Sequence, residues 1–568
     1  MDGNGHGFIT QQRQIPFTNL FPLRDEIYPA SKLLALSKLM QGAVDTVKDG
    51  PDPEENLWLP AGYTYFSQFV DHDLTFDSTS SLDPALALED KSRVPTNLRT
   101  PRLDLDCIYG DGPAAQPFMY AADGATLLYG GTGQPQLQAN PNGLVASVTA
   151  TWDLLRAPNG RAIIGDKRND ENSIVCQIQL AMIKYHNKIV ELLSGENSDS
   201  WLVAGDIFES ARTEVRWTYQ RIVVEDFLPR IIREEVLNDL QGLSFEQRKK
   251  CYVLYPDKDG IRDNLPREFV AAAYRYGHSG VRTGYRLNPQ TRLSIFPASN
   301  QADQSADSLL GFDPLPQHHI IDDWGRFFPD SDPGADIGEP GRIAADDTPD
   351  PSVRLQFAYK LDPTLVDPLT VLPPGVAGST ATSEAKEQVD NKLPNPDRPS
   401  LALLNLLRGN AYRLVSGQTV AEKLQAAGKG TGPLPADRLV VRLETDERPE
   451  NDADPKSQAF KWTPIDPDLQ TDTPLWFYIL AEAQAPILDT VTGGASRVFS
   501  ENDLLNGAGA LTQLGWVGGR IVAEVIYGIL DSDADSYVRA SKGSAWNPRF
   551  ATDGPVRMRG LLDFIVKA

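Results

Sequence analysis

The run Ser67-Gln68-Phe69-Val70-Asp71-His72-Asp73-Leu74 constrains this chain more than any other stretch of its length. Gln68, Asp71 and His72 fall at i, i+3 and i+4, so in a helix they share one face. An amide, a carboxylate and an imidazole on one face are unusual for a core helix. Only six histidines occur in 568 residues, so each can be weighed singly. Two later runs carry related chemistry. Gly165-Asp166-Lys167-Arg168-Asn169-Asp170-Glu171-Asn172 leads into a long segment containing Tyr185-His186-Asn187. Its apolar residues at 174, 175, 178, 182, 185, 189 and 192 have helical spacing. Glu268-Phe269 is followed by Tyr274-Arg275-Tyr276-Gly277-His278.

Around these runs the chain is organised unevenly. Residues 1–55 read as an arm with a short amphipathic helix near Ala30–Ala43. Residues 112–164, rich in Gly, Pro, Ala and Thr, read as strands and turns inserted on the surface. A helix is expected over Ile207–Phe227, stopping at Leu228-Pro229. From about 288 to 400, runs such as Pro329-Asp330-Ser331-Asp332-Pro333-Gly334 and Asp346-Asp347-Thr348-Pro349-Asp350-Pro351 exclude regular helix, and the segment reads as long loops with short helices. Helix resumes at Leu401. The fold class expected is mainly α with small β elements. The 41% apolar content suffices for a large core, and no run approaches the 18 apolar residues of a membrane span. A net charge of −23 argues against nucleic acid or anionic membrane as partner. Cys107, Cys176 and Cys251 are too few for a disulfide framework.

Further stretches complete a pattern: Thr100-Pro101-Arg102-Leu103-Asp104, Ile108-Tyr109-Gly110, Asn405 with Arg408-Gly409, and Gly518-Gly519-Arg520-Ile521-Val522-Ala523-Glu524. In this order the motifs resemble the animal-type haem peroxidases of the peroxidase–cyclooxygenase superfamily, collinear from about Leu57 to about Leu530. The resemblance implies a large single-domain fold: an arm over 1–55 and a haem peroxidase domain over 56–568, with insertions at about 112–164 and 288–400. Eukaryotic members are usually secreted and disulfide-bonded, so this chain looks like a bacterial-type relative. The N-terminus lacks a basic region followed by an apolar one, which implies a cytoplasmic protein or a non-standard export route.

The same resemblance assigns roles. His278 would be the proximal ligand of haem b iron, its other ring nitrogen donating to the amide oxygen of Asn405. Arg275 and Arg408 would belong to the haem-binding set. His72 would be the distal base that moves a proton between the oxygens of peroxide. Arg168 would stabilise the departing oxygen, unless it pairs instead with Asp166 or Asp170. Gln68 would hold a water or small anion. Asp71 and Glu171 stand where family members form ester bonds to haem, and Asn172 stands where myeloperoxidase-like members carry a methionine for a third, sulfonium link. Asp73, Thr100, the Arg102 carbonyl and Asp104 match a calcium loop whose last position is here Asp106 instead of serine. After Arg408 the usual basic-acidic-His run is replaced by Gly409-Asn410-Ala411-Tyr412-Arg413.

The function so implied is peroxide-driven oxidation of small electron donors (iodide, thiocyanate, bromide or phenols) through a ferryl intermediate, with a response to oxidative stress as its setting. Two alternatives remain. A cyclooxygenase-like fatty-acid dioxygenase would carry its radical tyrosine three residues before the proximal histidine, where this chain has Arg275. A non-catalytic haem- and calcium-containing adhesion module would need no distal set. The remaining singular residues read as structural: His186 as a packing or hydrogen-bonding residue, His318-His319 as a loop pair without a metal, Gly518-Gly519 as a close helix contact, and Trp476, Phe477 and Tyr478 as core.

Overall fold

The computed structural model describes residues 15–42, 52–76, 82, 95–130, 136–140, 143–147, 151–195, 206–256, 264–297, 307–333, 354–377, 379–395, 398–449, 458–490, 498–500, 503–504, 511–540, 546–551 and 554–566. Helix takes 47% of the residues and strand 12%, so the protein is mainly α. The helices that build the centre are α1 (Ala30–Leu39), α2 (Gly62–Leu74), α3 (Ser173–Gly195), α4 (Ile207–Ile222), α5 (Leu401–Ala411), α6 (Leu475–Thr490) and α7 (Trp516–Ser532). The strands form small antiparallel pairs, such as Glu55–Pro60 with Phe357–Tyr359 and Gly284–Asn288 with Thr291–Ser294. One three-stranded sheet joins Val440–Glu444, Ala459–Pro464 and Val498–Ser500. Among the described residues no helix is long and apolar enough to cross a membrane, and all three cysteines are free.

The two central helices are amphipathic in the way their sequences demand. On α2, Phe66 and Phe69 pack edge-on against Tyr219 of α4, while Gln68, Asp71 and His72 turn the other way into a cavity. Helix α3 buries Ile174, Val175, Ile178, Met182, Tyr185 and Ile189. One buried apolar cluster runs from Phe17 and Phe21 in the arm to Leu561 and Leu562 near the other end of the chain. The close-contact reading of the Gly518-Gly519 pair holds: a Cβ on Gly518 would meet Ile479 Cγ2 of α6 at 2.5 Å, and one on Gly519 would meet Ile232 Cγ2 at 2.8 Å. Trp476, Phe477 and Tyr478 are core residues.

Three expectations need adjustment. The helix beginning at Ile207 does not stop at Leu228-Pro229. It widens into a π turn over Val223–Phe227 and continues as Leu228–Ile231, with Pro229 in the first turn of that last piece. A proline lacks the N–H and crowds the carbonyl four residues back, and the wider turn removes that conflict. The 112–164 segment contains the hairpin Gln136–Asn140/Gly143–Ser147, yet it is not wholly superficial. Met119, Leu127 and Leu154 are buried, and Arg156 makes a buried two-pronged pair with Asp170, at 2.6 and 2.8 Å. The 288–400 segment has the short helices expected of it, but Phe327, Phe328, Phe357 and Leu361 lie in the interior. Residues 346–351, its second Asp/Pro run, lie outside the described residues.

Candidate active site

A cavity of about 350 Å³ lies between α2, the segment before α3, and the 3-10 turn Ala273–His278. Its polar lining includes Gln68, Asp71, His72, Glu171, Asn172, Arg275 and His278. Its apolar lining includes Val281, Ile295, Phe296, Leu309, Leu369 and Leu401. The structure therefore brings seven residues from three separate runs to one space. The Ser67 hydroxyl meets the Tyr276 hydroxyl at 3.0 Å, which ties α2 to the turn that carries His278.

His72 is held in one tautomer. Asn169 Nδ2 donates to Gln179 Oε1 at 2.8 Å, so the Asn169 oxygen is left facing His72 Nδ1, at 2.7 Å. Gln179 in turn donates to the Cys107 carbonyl at 3.4 Å. His72 Nδ1 must therefore carry the proton, and Nε2 keeps its lone pair. Burial, reinforced by the Arg168 charge, lowers the His72 pKa to about 3. Glu171 lies 3.6 Å from His72 Nε2 and accepts a hydrogen bond from Gln68 Nε2. Burial raises its carboxyl to about 7. Gln68 accepts in turn from Asn172 Nδ2 at 3.0 Å. Asp71 is likewise raised by burial and accepts from the Thr75 hydroxyl at 3.0 Å.

His278 closes the 3-10 turn, and its pKa is lowered to about 3 by burial and by the nearby charges of Arg275 and Arg408. Its partner is Asn405, as expected, but through the opposite end of the amide. Nδ2 of Asn405, not the oxygen, faces His278 Nδ1 at 2.8 Å. The cause is Arg275: a guanidinium can only donate, and its Nη1 takes the Asn405 oxygen at 3.3 Å. Arg408 is half-buried on α5 and does not line the cavity.

Arg168 also stays outside the cavity lining. It forms an ion pair with Asp166 at 2.8 Å and donates to the carbonyls of His72, at 3.2 Å, and Thr75. It thus grips the last turn of α2 from behind, the Asp166 pairing left open by the sequence. Asp170, the other acid considered for it, belongs to Arg156. The Gly409–Arg413 departure has its own use. Asn410 bonds both the N–H and the carbonyl of Tyr28, at 3.1 and 2.8 Å, and Arg413 donates to the Asp25 carbonyl at 2.7 Å. This segment fastens the N-terminal arm to the end of α5.

One residue beyond His72, on a different face of α2, a second site forms. Asp73, Asp104 and Asp106 each present a carboxylate oxygen within 4.8 Å of the others. Both Asp73 oxygens are buried without a hydrogen-bond partner. Burial and the neighbouring acids raise Asp73 well above the carboxylate range and Asp106 to about 7. Leu105 between the two loop acids holds φ at +62°, a costly conformation for a branched residue. Thr100 Oγ donates to Asp104 at 2.7 Å, and the Arg102 side chain points to Asp533, 3.7 Å away. His186 is the hydrogen-bonding residue expected of it, between the Tyr109 hydroxyl at 3.1 Å and the Ala125 carbonyl at 2.9 Å. Asn169 and Gln179 escaped the sequence reading, because nothing in their spacing marks them as partners of His72.

Residues 68–315 match the family described as animal haem peroxidase. Dual oxidase 1 of Caenorhabditis elegans is 25% identical over 209 residues, 36% of this chain and 13% of that much longer protein. Peroxidase A of Dictyostelium discoideum has a similar fold, with a TM-score of 0.51 at 13% identity over 96% of this chain and 95% of the other. A fatty acid alpha-dioxygenase of Arabidopsis thaliana follows at a TM-score of 0.48 and 14% identity, over 97% of this chain and 78% of the other. The matched residues contain the second half of α2, the acidic run before α3 and the turn ending at His278, so the seven polar residues named in the cavity lining all lie in the stretch similar to the animal haem peroxidases.

Proposed function

We propose that this chain is a haem-dependent peroxidase that uses hydrogen peroxide to oxidise small electron donors. The observation that carries the reading is one cavity, walled by apolar side chains, into which two neutral imidazoles open from different segments. That lining suits a flat, apolar macrocycle with a metal at its centre. When bound, haem supplies the redox-active iron; the protein's own residues do the rest.

His278 would hold the iron through Nε2. This requires the ring proton on Nδ1 and an acceptor facing it. A half-turn of the Asn405 amide provides that acceptor and frees Arg275, whose charge already acts on Asp71. His72 Nε2, with its lone pair directed by Asn169, would take a proton from one peroxide oxygen and deliver it to the other. Gln68 would orient the incoming peroxide or a water. Arg168 would act at one remove by fixing the end of α2. Asp71 and Glu171 would form the ester links, whereas Asn172 offers no sulfonium. Asp73, Asp104, Asp106, Thr100 and the Arg102 carbonyl would hold calcium, a cation that takes 6–8 oxygens, with the orphaned Asp73 carboxylate as its core. Donors in this reading are iodide, thiocyanate, bromide and phenols.

The test is peroxide-driven turnover across a donor panel, run beside oxygen uptake with a long-chain fatty acid. Oxidation of iodide, thiocyanate or a phenol with no fatty-acid oxygenation is expected, because Arg275 cannot supply a tyrosyl radical. Rapid, stereospecific oxygen uptake would transfer the chain to the dioxygenases. Haem binding without turnover of any donor would leave only an adhesion-type module.

A further inference from the structure

The loop holding His318 and His319 does something its sequence gave little reason to expect. Nε2 of His318 and Nε2 of His319 converge on the two oxygens of a single carboxylate, Asp307, at 2.6 and 2.7 Å. All three ligand-type atoms lie within 4.8 Å of one another. We propose that Asp307, His318 and His319 form a binding site for a divalent transition-metal ion of the zinc type, separate from the acidic site at Asp73.

Three observations carry this. First, the histidine pair is clamped on both sides. Asn288 Nδ2 donates to the carbonyls of His318 and Ile320, at 2.8 and 2.9 Å. Gln177 donates to the His319 carbonyl at 3.0 Å and accepts from Ile321 N–H at 2.8 Å. Second, the inner histidine has the support that metal-bound imidazoles use. His319 is 3% exposed, and its Nδ1 sits 2.9 Å from the Ser173 hydroxyl. With Nδ1–H donating to Ser173, Nε2 presents a lone pair toward Asp307, an arrangement that a cation between them makes favourable. Third, the outer ligands are open: the side chains of His318 and Asp307 are 55% and 50% exposed, so an ion can enter and water can complete its shell. Two imidazoles and a carboxylate suit zinc, copper or nickel better than calcium. Ligand atoms around a tetrahedral zinc lie about 3.3 Å apart, so Asp307 would withdraw by roughly half an ångström.

The site adjoins the cavity without being part of it. Ser173 follows Asn172, which holds Gln68, and a bound ion would pin the loop to the first turn of α3. The proposal does not depend on the peroxidase reading. The test uses the full chain saturated with calcium and haem, titrated with zinc or cobalt(II) alone. One ion per chain is expected, with a cobalt visible spectrum typical of nitrogen and oxygen ligands. Because His318 and Asp307 are exposed, His318→Ala and Asp307→Asn should fold normally and lose about 10–100-fold in affinity. His278→Ala, which tests the haem cavity, should leave zinc affinity unchanged. Zinc binding equal to wild type in both His318→Ala and Asp307→Asn would overturn the proposal, as would no binding at millimolar zinc. Either result would leave the cluster a pair of histidine–aspartate ion pairs.

Discussion

In the proposed reaction His72 would serve as a base only while Nε2 is bare and faces the cavity, and both conditions are set by residues distant from it in sequence. Replacing it with alanine should leave haem bound and slow the peroxide reaction by roughly 10²–10⁴-fold, read by stopped-flow. Its pKa of about 3 gives a second check. A base works when deprotonated, so its activity falls as pH drops through its pKa. An ordinary imidazole would show that fall near pH 6.5. Here the rate should stay level down to about pH 5, and an Asn169→Leu variant, lacking the acceptor on Nδ1, should lose much of it without losing haem. A wild-type rate in either variant would refute the role. The i, i+3, i+4 spacing of Gln68, Asp71 and His72 was legible because helical periodicity is local. Asn169 and Gln179 were not, since a buried hydrogen-bond chain joins positions that only tertiary packing brings together. The same reason kept hidden which acid Arg168 would choose, and which end of the Asn405 amide Arg275 would claim.

At the scale of elements, the long amphipathic patterns were the most readable part of the chain. Helix α3 follows its apolar spacing almost residue by residue, and α5 starts where expected because Ser400 caps it, accepting from Leu403 N–H at 3.2 Å. The π turn at Val223–Phe227 was invisible, because a proline in a sequence signals a stop and only the surrounding packing can keep the helix going. Glycines separate these effects experimentally. Gly518→Ala forces a methyl to within 2.5 Å of Ile479 Cγ2 and should destabilise by about 1–3 kcal/mol in denaturant melts. Gly409→Ala, in α5 with no atom within 4 Å of the new Cβ, should be neutral or stabilise by up to about 1 kcal/mol. Equal effects from the two substitutions would mean that the α6–α7 contact is not as tight as the geometry requires.

At the scale of the whole molecule, the proposed calcium site would tie stability to whether the acidic loop is occupied. Without a cation, the raised pKa values of Asp73 and Asp106 mean that the folded state binds protons more readily than the unfolded one. Stability is then fully present at low pH and is lost as pH rises toward and through about 7. A calcium ion bound there would remove that penalty by stabilising the ionised carboxylates. Chelation should therefore lower Tm, and lower it more at about pH 8 than at about pH 5; an equal effect at both would argue against the site. Mainly helical architecture and the collinear motifs were legible in the sequence, while the burial of parts of the two inserted segments was not, since their turn-rich composition conceals which side chains reach the core. The most direct measurement is the optical spectrum and haem content of the wild-type chain beside His278→Ala. One haem per chain with a histidine-ligated spectrum is expected for the wild type, with that spectrum lost in the variant while α2 and its His72 remain folded. An identical spectrum and haem content in His278→Ala would contradict the account at its centre.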